Sequence, residues 1–195
     1  MRMHLGGSAG NSRLTALTAI VLLVLLAIEG GTLLSLQTFL SWHIVVGMLL
    51  VPIVALKLVT VGYRFARYYT NRPEYVEAGP PTTLRRLLGP VVVLATVGLF
   101  ATGVALAVLG PSAPSVLLLH QASFAVWVAA MTVHVLAHVL ELPALAAGDL
   151  RGDGVGGNRL RVGVLAGVIV AGVVLAVATL PLVSPWVHWM RDARG

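Results

Sequence analysis

Long apolar runs separated by short polar breaks set the plan of this chain. From Leu14 to about Leu36 apolar residues are interrupted only by Glu29, a Gly30-Gly31 pair and a few hydroxyls. A second run covers about Leu40 to Tyr63 and continues as the amphipathic RFARYY, with His43 near its start and Lys57 deep inside. The polar stretch 64–86 sets Arg64, Arg67, Arg72, Arg85 and Arg86 against Glu74 and Glu77, and contains the helix-breaking Gly79-Pro80-Pro81. Three more apolar runs follow, at about Leu87–Leu109, Ser115–Leu142 and Leu160–Val183. Each run has the length of about 20 residues that a bilayer crossing needs. The pattern predicts an all-α, integral membrane bundle of five transmembrane helices, at about 14–36, 40–69, 87–109, 115–142 and 160–183. These form one domain over residues 1–195.

Small residues mark faces on these helices. Gly89, Thr96, Gly103 and Gly110 recur every seven residues, which permits close helix packing and equally leaves room for a flat cofactor. Gly163-x-x-x-Gly167-x-x-x-Ala171 marks the fifth as a packing helix. The basic start and first apolar run have the outline of a signal peptide. No small-x-small site follows cleanly and another span begins almost at once, so the run is read as a retained helix.

Composition agrees. The 195 residues are 58% hydrophobic and 10% charged, with mean hydropathy +0.95, where a soluble domain needs about a quarter charged residues. The absence of cysteine excludes disulfides, thiolate metal sites, iron–sulfur clusters and covalent c-type haem. The net charge of +6 marks loops on one side of the membrane rather than nucleic acid. Ten Arg fall in the N-terminal lead and in loops 2–3 and 4–5, two fall in the tail, and loops 1–2 and 3–4 have none. The positive-inside rule then places the N-terminus inside and the C-terminus outside. Arg outnumbers Lys twelve to one, a bias that with abundant Ala, Val and Gly hints at a G+C-rich bacterial genome and so at a bacterial inner membrane. The tail PWVHWMRDARG carries two tryptophans suited to the headgroup level, with His188 interfacial.

The candidate chemistry lies in the histidines. On the fourth run His120, Trp127, Met131, His134 and His138 fall within about 40° of one line at 100° per residue. That stripe must face protein, cofactor or water, because ionisable groups inside a span are costly and point to function. The second and fourth helices run in the same direction. His43 lies about three residues into one and His120 about five into the other, a difference in depth of about 3 Å. Two imidazoles at equal depth on neighbouring helices suit the axial positions of one haem iron. Gly47, four residues after His43, leaves space for the macrocycle on the same face. Glu29, at similar depth on the first helix, is placed to receive a proton or to bond the distal nitrogen of a ligand histidine.

With His134 fourteen residues after His120, the arrangement resembles the membrane b-type cytochromes. These are the cytochrome b subunits of membrane hydrogenases and formate dehydrogenases, and the ferric-reductase-like haem modules. The resemblance rests on His43, His120 and His134 and implies haem b and electron transfer to or from quinone. The chain departs from that pattern where a second haem would need a histidine on helix two: the position is Lys57. His138 cannot face His134 across a metal, since residues four apart lie on one side. One haem with axial His43 and His120 is therefore expected, a second being the alternative. His134 and His138 have three open roles: proton relay to a quinone, contact with haem propionates, or capping of a polar cavity. Lys57 is expected to reach for the cytoplasmic surface.

The function expected is a membrane cytochrome passing electrons between the quinone pool and a partner redox protein at the outer face. It is a non-catalytic subunit of an oxidoreductase complex, because two axial histidines leave no open iron position. The alternatives are a proton- or metal-translocating protein using Glu29, Lys57 and the histidines as a polar path, or a structural membrane subunit.

Overall fold

The computed structural model describes residues 7–77, 79, 83–138, 147 and 155–192. Every regular element among them is helical: α1 (Gly7–Thr32), a 3-10 turn (Leu33–Ser35), α2 (Leu36–Tyr69), α3 (Pro73–Val76), α4 (Thr83–Leu109), α5 (Pro114–His138), α6 (Asn158–Ala178), a second 3-10 turn (Leu180–Val183) and α7 (Ser184–Asp192). Four runs are long and apolar enough to cross a membrane: Gly7–Tyr69, Arg86–Leu109, Pro114–Ala137 and Asn158–Ala178.

The first run contains α1 and α2, folded back on each other at the 3-10 turn. Asn11 Nδ2 donates to the Thr60 carbonyl at 3.1 Å, and Lys57 Nζ to the Thr15 carbonyl at 2.9 Å. At the other end Glu29 meets His43 at 2.9 Å. Early residues thus pair with late ones along the whole length, which defines an antiparallel hairpin. Lys57 is held by this backbone acceptor inside the hairpin, where the sequence suggested a reach toward the surface. An ammonium in an apolar environment needs such a partner.

Helix ends follow local chemistry. Asn71 takes a left-handed φ of 53°, Asn71 N donates to Tyr68 O and Arg72 N to Arg67 O, and Pro73 follows. This closes α2 with a Schellman motif in which Asn replaces the usual Gly. At the α4–α5 turn Gly110 has φ 73° and Pro114 starts α5, a position where its missing amide costs nothing.

Two hairpin groups result. α2 packs against α1 and α6, and α4 packs against α5; contact between the groups is mainly a short stretch of α2 with α4. A Cβ on Gly172 of α6 would come 2.5 Å from the Leu49 carbonyl, so only glycine allows these two backbones to touch. The predicted stripe is different: Gly163 and Gly167 face open space and Ala171 is exposed. A stripe of small residues does not reveal which face has a neighbour.

Polarity is distributed as lipid demands. Val24, Val59, Leu94, Leu118, Leu136 and Val170 are exposed, while Thr18, Thr60, Thr96 and Arg161 are buried. Thr18 and Thr96 donate to carbonyls one turn back, at 2.8 and 2.7 Å. Arg161 is enclosed by the carbonyls of Gly156 and Val155, at 2.7 and 3.2 Å.

Several boundaries differ from the sequence expectation. The first helix ends at Thr32 and the second begins at Leu36, each four residues earlier than expected, and α4 begins at Thr83 rather than at Leu87. α1 begins at Gly7, inside the polar lead, because Asn11 finds a backbone partner and Glu74 of α3 lies against the helix start, where a carboxylate suits the macrodipole. α6 stops at Ala178, where Thr179 caps it and Pro181 ends the ladder. The tail forms the helix α7. The expected end of the fourth helix near Leu142, and Asp149, Arg151 and Asp153, lie outside the described residues.

Candidate cofactor site

Between the two hairpin groups lies a cavity of about 360 Å³, within the range of small-molecule and cofactor sites. Its walls come from α1, α2, α4 and α5, and Trp186, Trp189 and Met190 of α7 close one end. His43 and His120 both line it, with ring centroids 6.4 Å apart and planes at 71°.

The hydrogen bonds fix which nitrogen each ring offers. His43 Nδ1 lies 2.9 Å from Glu29 Oε1 and 3.1 Å from Thr32 Oγ1. Thr32 spends its single proton on the Glu29 carbonyl, so its oxygen accepts and His43 Nδ1 carries the hydrogen. The same logic holds for His120, whose Nδ1 lies 3.2 Å from the Leu99 carbonyl and 3.1 Å from Thr102 Oγ1. Thr102 donates to the Gly98 carbonyl, and a carbonyl only accepts, so His120 Nδ1 is the donor too. In the neutral ring the other nitrogen, Nε2, then holds a lone pair. Neither Nε2 has a hydrogen-bond partner among the described residues. A histidine with Nδ1–H on a carboxylate or backbone carbonyl and Nε2 free has the form of a metal ligand with its outer-shell partner in place.

With metal–nitrogen bonds of about 2.0 Å, two imidazoles whose centroids lie 6.4 Å apart would be close enough to share one metal. Among the described residues no three of His, Cys, Asp and Glu are grouped to hold a bare ion. The donor set is two imidazoles in an apolar slot, which suits a metal whose remaining ligands come from a macrocycle. Two buried polar atoms at the cavity also lack partners among the described residues: Glu29 Oε2 and Trp186 Nε1.

Glycines make this geometry possible. A Cβ on Gly103 would lie 3.1 Å from His120 Cε1, so the absent side chain admits the imidazole to the face of α4. Gly47 lines the cavity, and a Cβ there would lie 3.4 Å from Glu29 Oε1. It makes room for the carboxyl group beside His43 as well as for a ligand. Trp127 forms part of the wall, its Nε1 donating to Thr96 Oγ1 at 3.0 Å.

Of the residues singled out by sequence, the cavity brings together Glu29, His43, Gly47 and His120. His134 is half-buried, has a partner and does not line it. His138 ends the described part of α5, and its side chain lies outside the described residues. Lys57 is fourteen residues beyond His43, bonded to Thr15, and also off the cavity. His188 is exposed on α7. Thr32, Thr102, the Leu99 carbonyl and Trp186 were not anticipated. The two threonines sit at the depth of the histidines, a signal diluted by the many threonines in apolar helices.

Comparison with protein-family models, with curated proteins and with solved structures gave no match.

Proposed function

We propose that this protein is a membrane cytochrome that holds one haem b between His43 and His120 and passes single electrons between the quinone pool and a partner redox protein. The observation that carries the reading is the pair of unpartnered Nε2 atoms on one apolar cavity, with ring centroids 6.4 Å apart and each Nδ1 already tied to an acceptor. Haem b with both axial positions filled supplies a one-electron iron couple and no open site for oxygen.

The chain's own residues then have defined tasks. His43 and His120 bind; Glu29 and the Leu99 carbonyl orient the rings; Thr32 and Thr102 hold them in the Nδ1–H form. Leu26, Leu50, Val51, Phe100 and Phe124 line the slot and exclude water. The bundle is proposed to cross a bacterial inner membrane five times, by α1, α2, α4, α5 and α6. Positive loops inside give an N-terminus inside and a C-terminus outside, so the cavity and α7 lie toward the outer face, where a redox partner would dock. This assignment accords with the resemblance to membrane b-type cytochromes.

The test is spectroscopic. Purified protein supplied with haem is expected to be red, with a Soret band and a sharp α band on reduction, at one haem per chain. His43→Ala and His120→Ala each abolish the low-spin spectrum, and His188→Ala leaves it intact. A colourless haem-supplied protein, or three variants that behave alike, overturns the reading.

A further inference from the structure

A second cavity, of about 160 Å³, adjoins the first and shares Leu40 and Met190 with it. Its character is different. Gln37, Thr38 and Ser41 from the start of α2 and Arg191 from α7 contribute its polar lining. Trp186, 6% exposed, lines the apolar cavity and bears a buried indole N–H with no partner among the described residues. Trp186 packs edge-on against Trp189, centroids 5.9 Å apart. A buried donor without an acceptor is destabilising, and the described residues supply no acceptor here. An apolar chamber with two imidazoles and one unused N–H donor therefore adjoins a polar chamber with one guanidinium.

We propose that the polar chamber is a carboxylate site and that it fixes which way the tetrapyrrole lies. The proposal rests on the haem reading. Haem b is apolar over its ring and carries two propionate carboxylates on one edge, so its polarity matches the two chambers in sequence. Arg191 is the cationic partner, because guanidinium–carboxylate bonds are directional and charge-assisted. Gln37 and Ser41 are neutral neighbours in the polar chamber, and Trp186 N–H is a further donor on the wall of the adjoining apolar one. α7 is then a clamp whose residues meet the ring edge on one side and its carboxylates on the other. Its short, amphipathic sequence and its place in the walls of both cavities follow from that task.

The experiment compares haem b with its dimethyl ester, in which both carboxylates are capped. Full-length haem-free protein in detergent is titrated with each form, following the Soret band, in wild type, Arg191→Gln and Trp186→Phe. The readout is the ratio of the two affinities compared between variants, a comparison in which the greater partitioning of the ester into detergent, common to all of them, cancels. Wild type is expected to favour the free acid, and Arg191→Gln to reduce that preference about tenfold, the worth of one charge-assisted bond. Trp186→Phe lowers it by a smaller factor. Arg191 is exposed, so its replacement leaves folding intact and the result stands even if Trp186→Phe misfolds. A wild type indifferent to capping, or an Arg191→Gln ratio equal to wild type, overturns the carboxylate site while leaving haem binding in place. A wild type that binds neither form overturns the haem reading beneath it.

Discussion

Adding one methyl group at Gly103 separates the demands of the fold from those of the site. In Gly103→Ala the new Cβ would lie 3.1 Å from His120 Cε1 and 3.5 Å from Nδ1. Carbon atoms rest at about 3.5–4.0 Å, so the imidazole must retreat from α4 by roughly half an ångström. The same ring holds α4 through Nδ1, at 3.2 Å from the Leu99 carbonyl and 3.1 Å from Thr102 Oγ1. A retreat of that size takes both contacts to about 3.6 Å, where a hydrogen bond is effectively lost. Loss of an outer-shell partner typically costs about 10–100-fold in metal affinity. Helix propensity works the other way, alanine being favoured over glycine by about 1 kcal/mol. The lost hydrogen bond costs about 1 kcal/mol in turn, so the haem-free variant is expected to melt close to the wild-type temperature while its haem affinity falls at least tenfold. Gly167→Ala is the control, because its Cβ meets open space. The assays are haem titration at the Soret band and thermal unfolding by circular dichroism in detergent. Wild-type haem affinity in Gly103→Ala, or an equal loss in Gly167→Ala, refutes the placement of His120 against α4.

Glu29→Gln keeps an oxygen for His43 but removes the carboxylate. Bonds to charged groups exceed neutral ones by roughly 1 kcal/mol, so the haem potential should rise by about 40–60 mV on the scale of 59 mV per tenfold for one electron. A redox titration with no rise contradicts the assigned contact. Lys57→Met and His134→Ala should each leave one low-spin haem per chain with an unchanged spectrum, since neither residue lines the cavity. A drop in haem stoichiometry in either variant would point to a second haem.

How much of this was legible depended on whether a residue was out of place in an apolar run. His43, His120 and Glu29 were conspicuous because lipid-embedded chains rarely carry ionisable groups without purpose. The count of three residues into helix two for His43 changes to seven, because α2 begins at Leu36, yet His43 and His120 still meet at one cavity. The hairpins followed from run lengths and breakers such as Gly110 with Pro111 and Pro114. Residues whose meaning depends on a neighbour were not legible. Thr32 and Thr102 look like any threonine in an apolar helix until the bonds to Nδ1 are seen. Gly103 had two readings, close packing or space for a cofactor, and the structure gives a third: space for an imidazole. On α6 the repeated Gly163 and Gly167 drew attention, yet the backbone contact is made at Gly172. The tail read as an interfacial segment because of its two tryptophans; the structure adds two prolines that shape the chain there, Pro181 and Pro185. One begins a 3-10 turn and the other lies at the start of α7, so they re-aim the chain across the cavity.

The two rings are prepared by the same device on separate hairpins. His43 is oriented by Glu29 and Thr32 from α1, its partner within the first hairpin; His120 is oriented by Leu99 and Thr102 from α4, its partner within the second. Each hairpin therefore presents a finished ligand without help from the other, and direct contact between the groups is confined mainly to a short stretch of α2 with α4. A group bound to both imidazoles becomes the main tie between the halves. At a free haem concentration of about 100 times Kd this linkage adds roughly 2.7 kcal/mol to stability. Haem should thus raise the unfolding midpoint of the wild type, and should give no rise with His120→Ala, in which one hairpin has lost its ligand while its fold is kept. His188→Ala should keep the full increment. An increment that survives His120→Ala would mean that the cavity binds haem without joining the two halves, and the coupling argued from their separate preparation would fall.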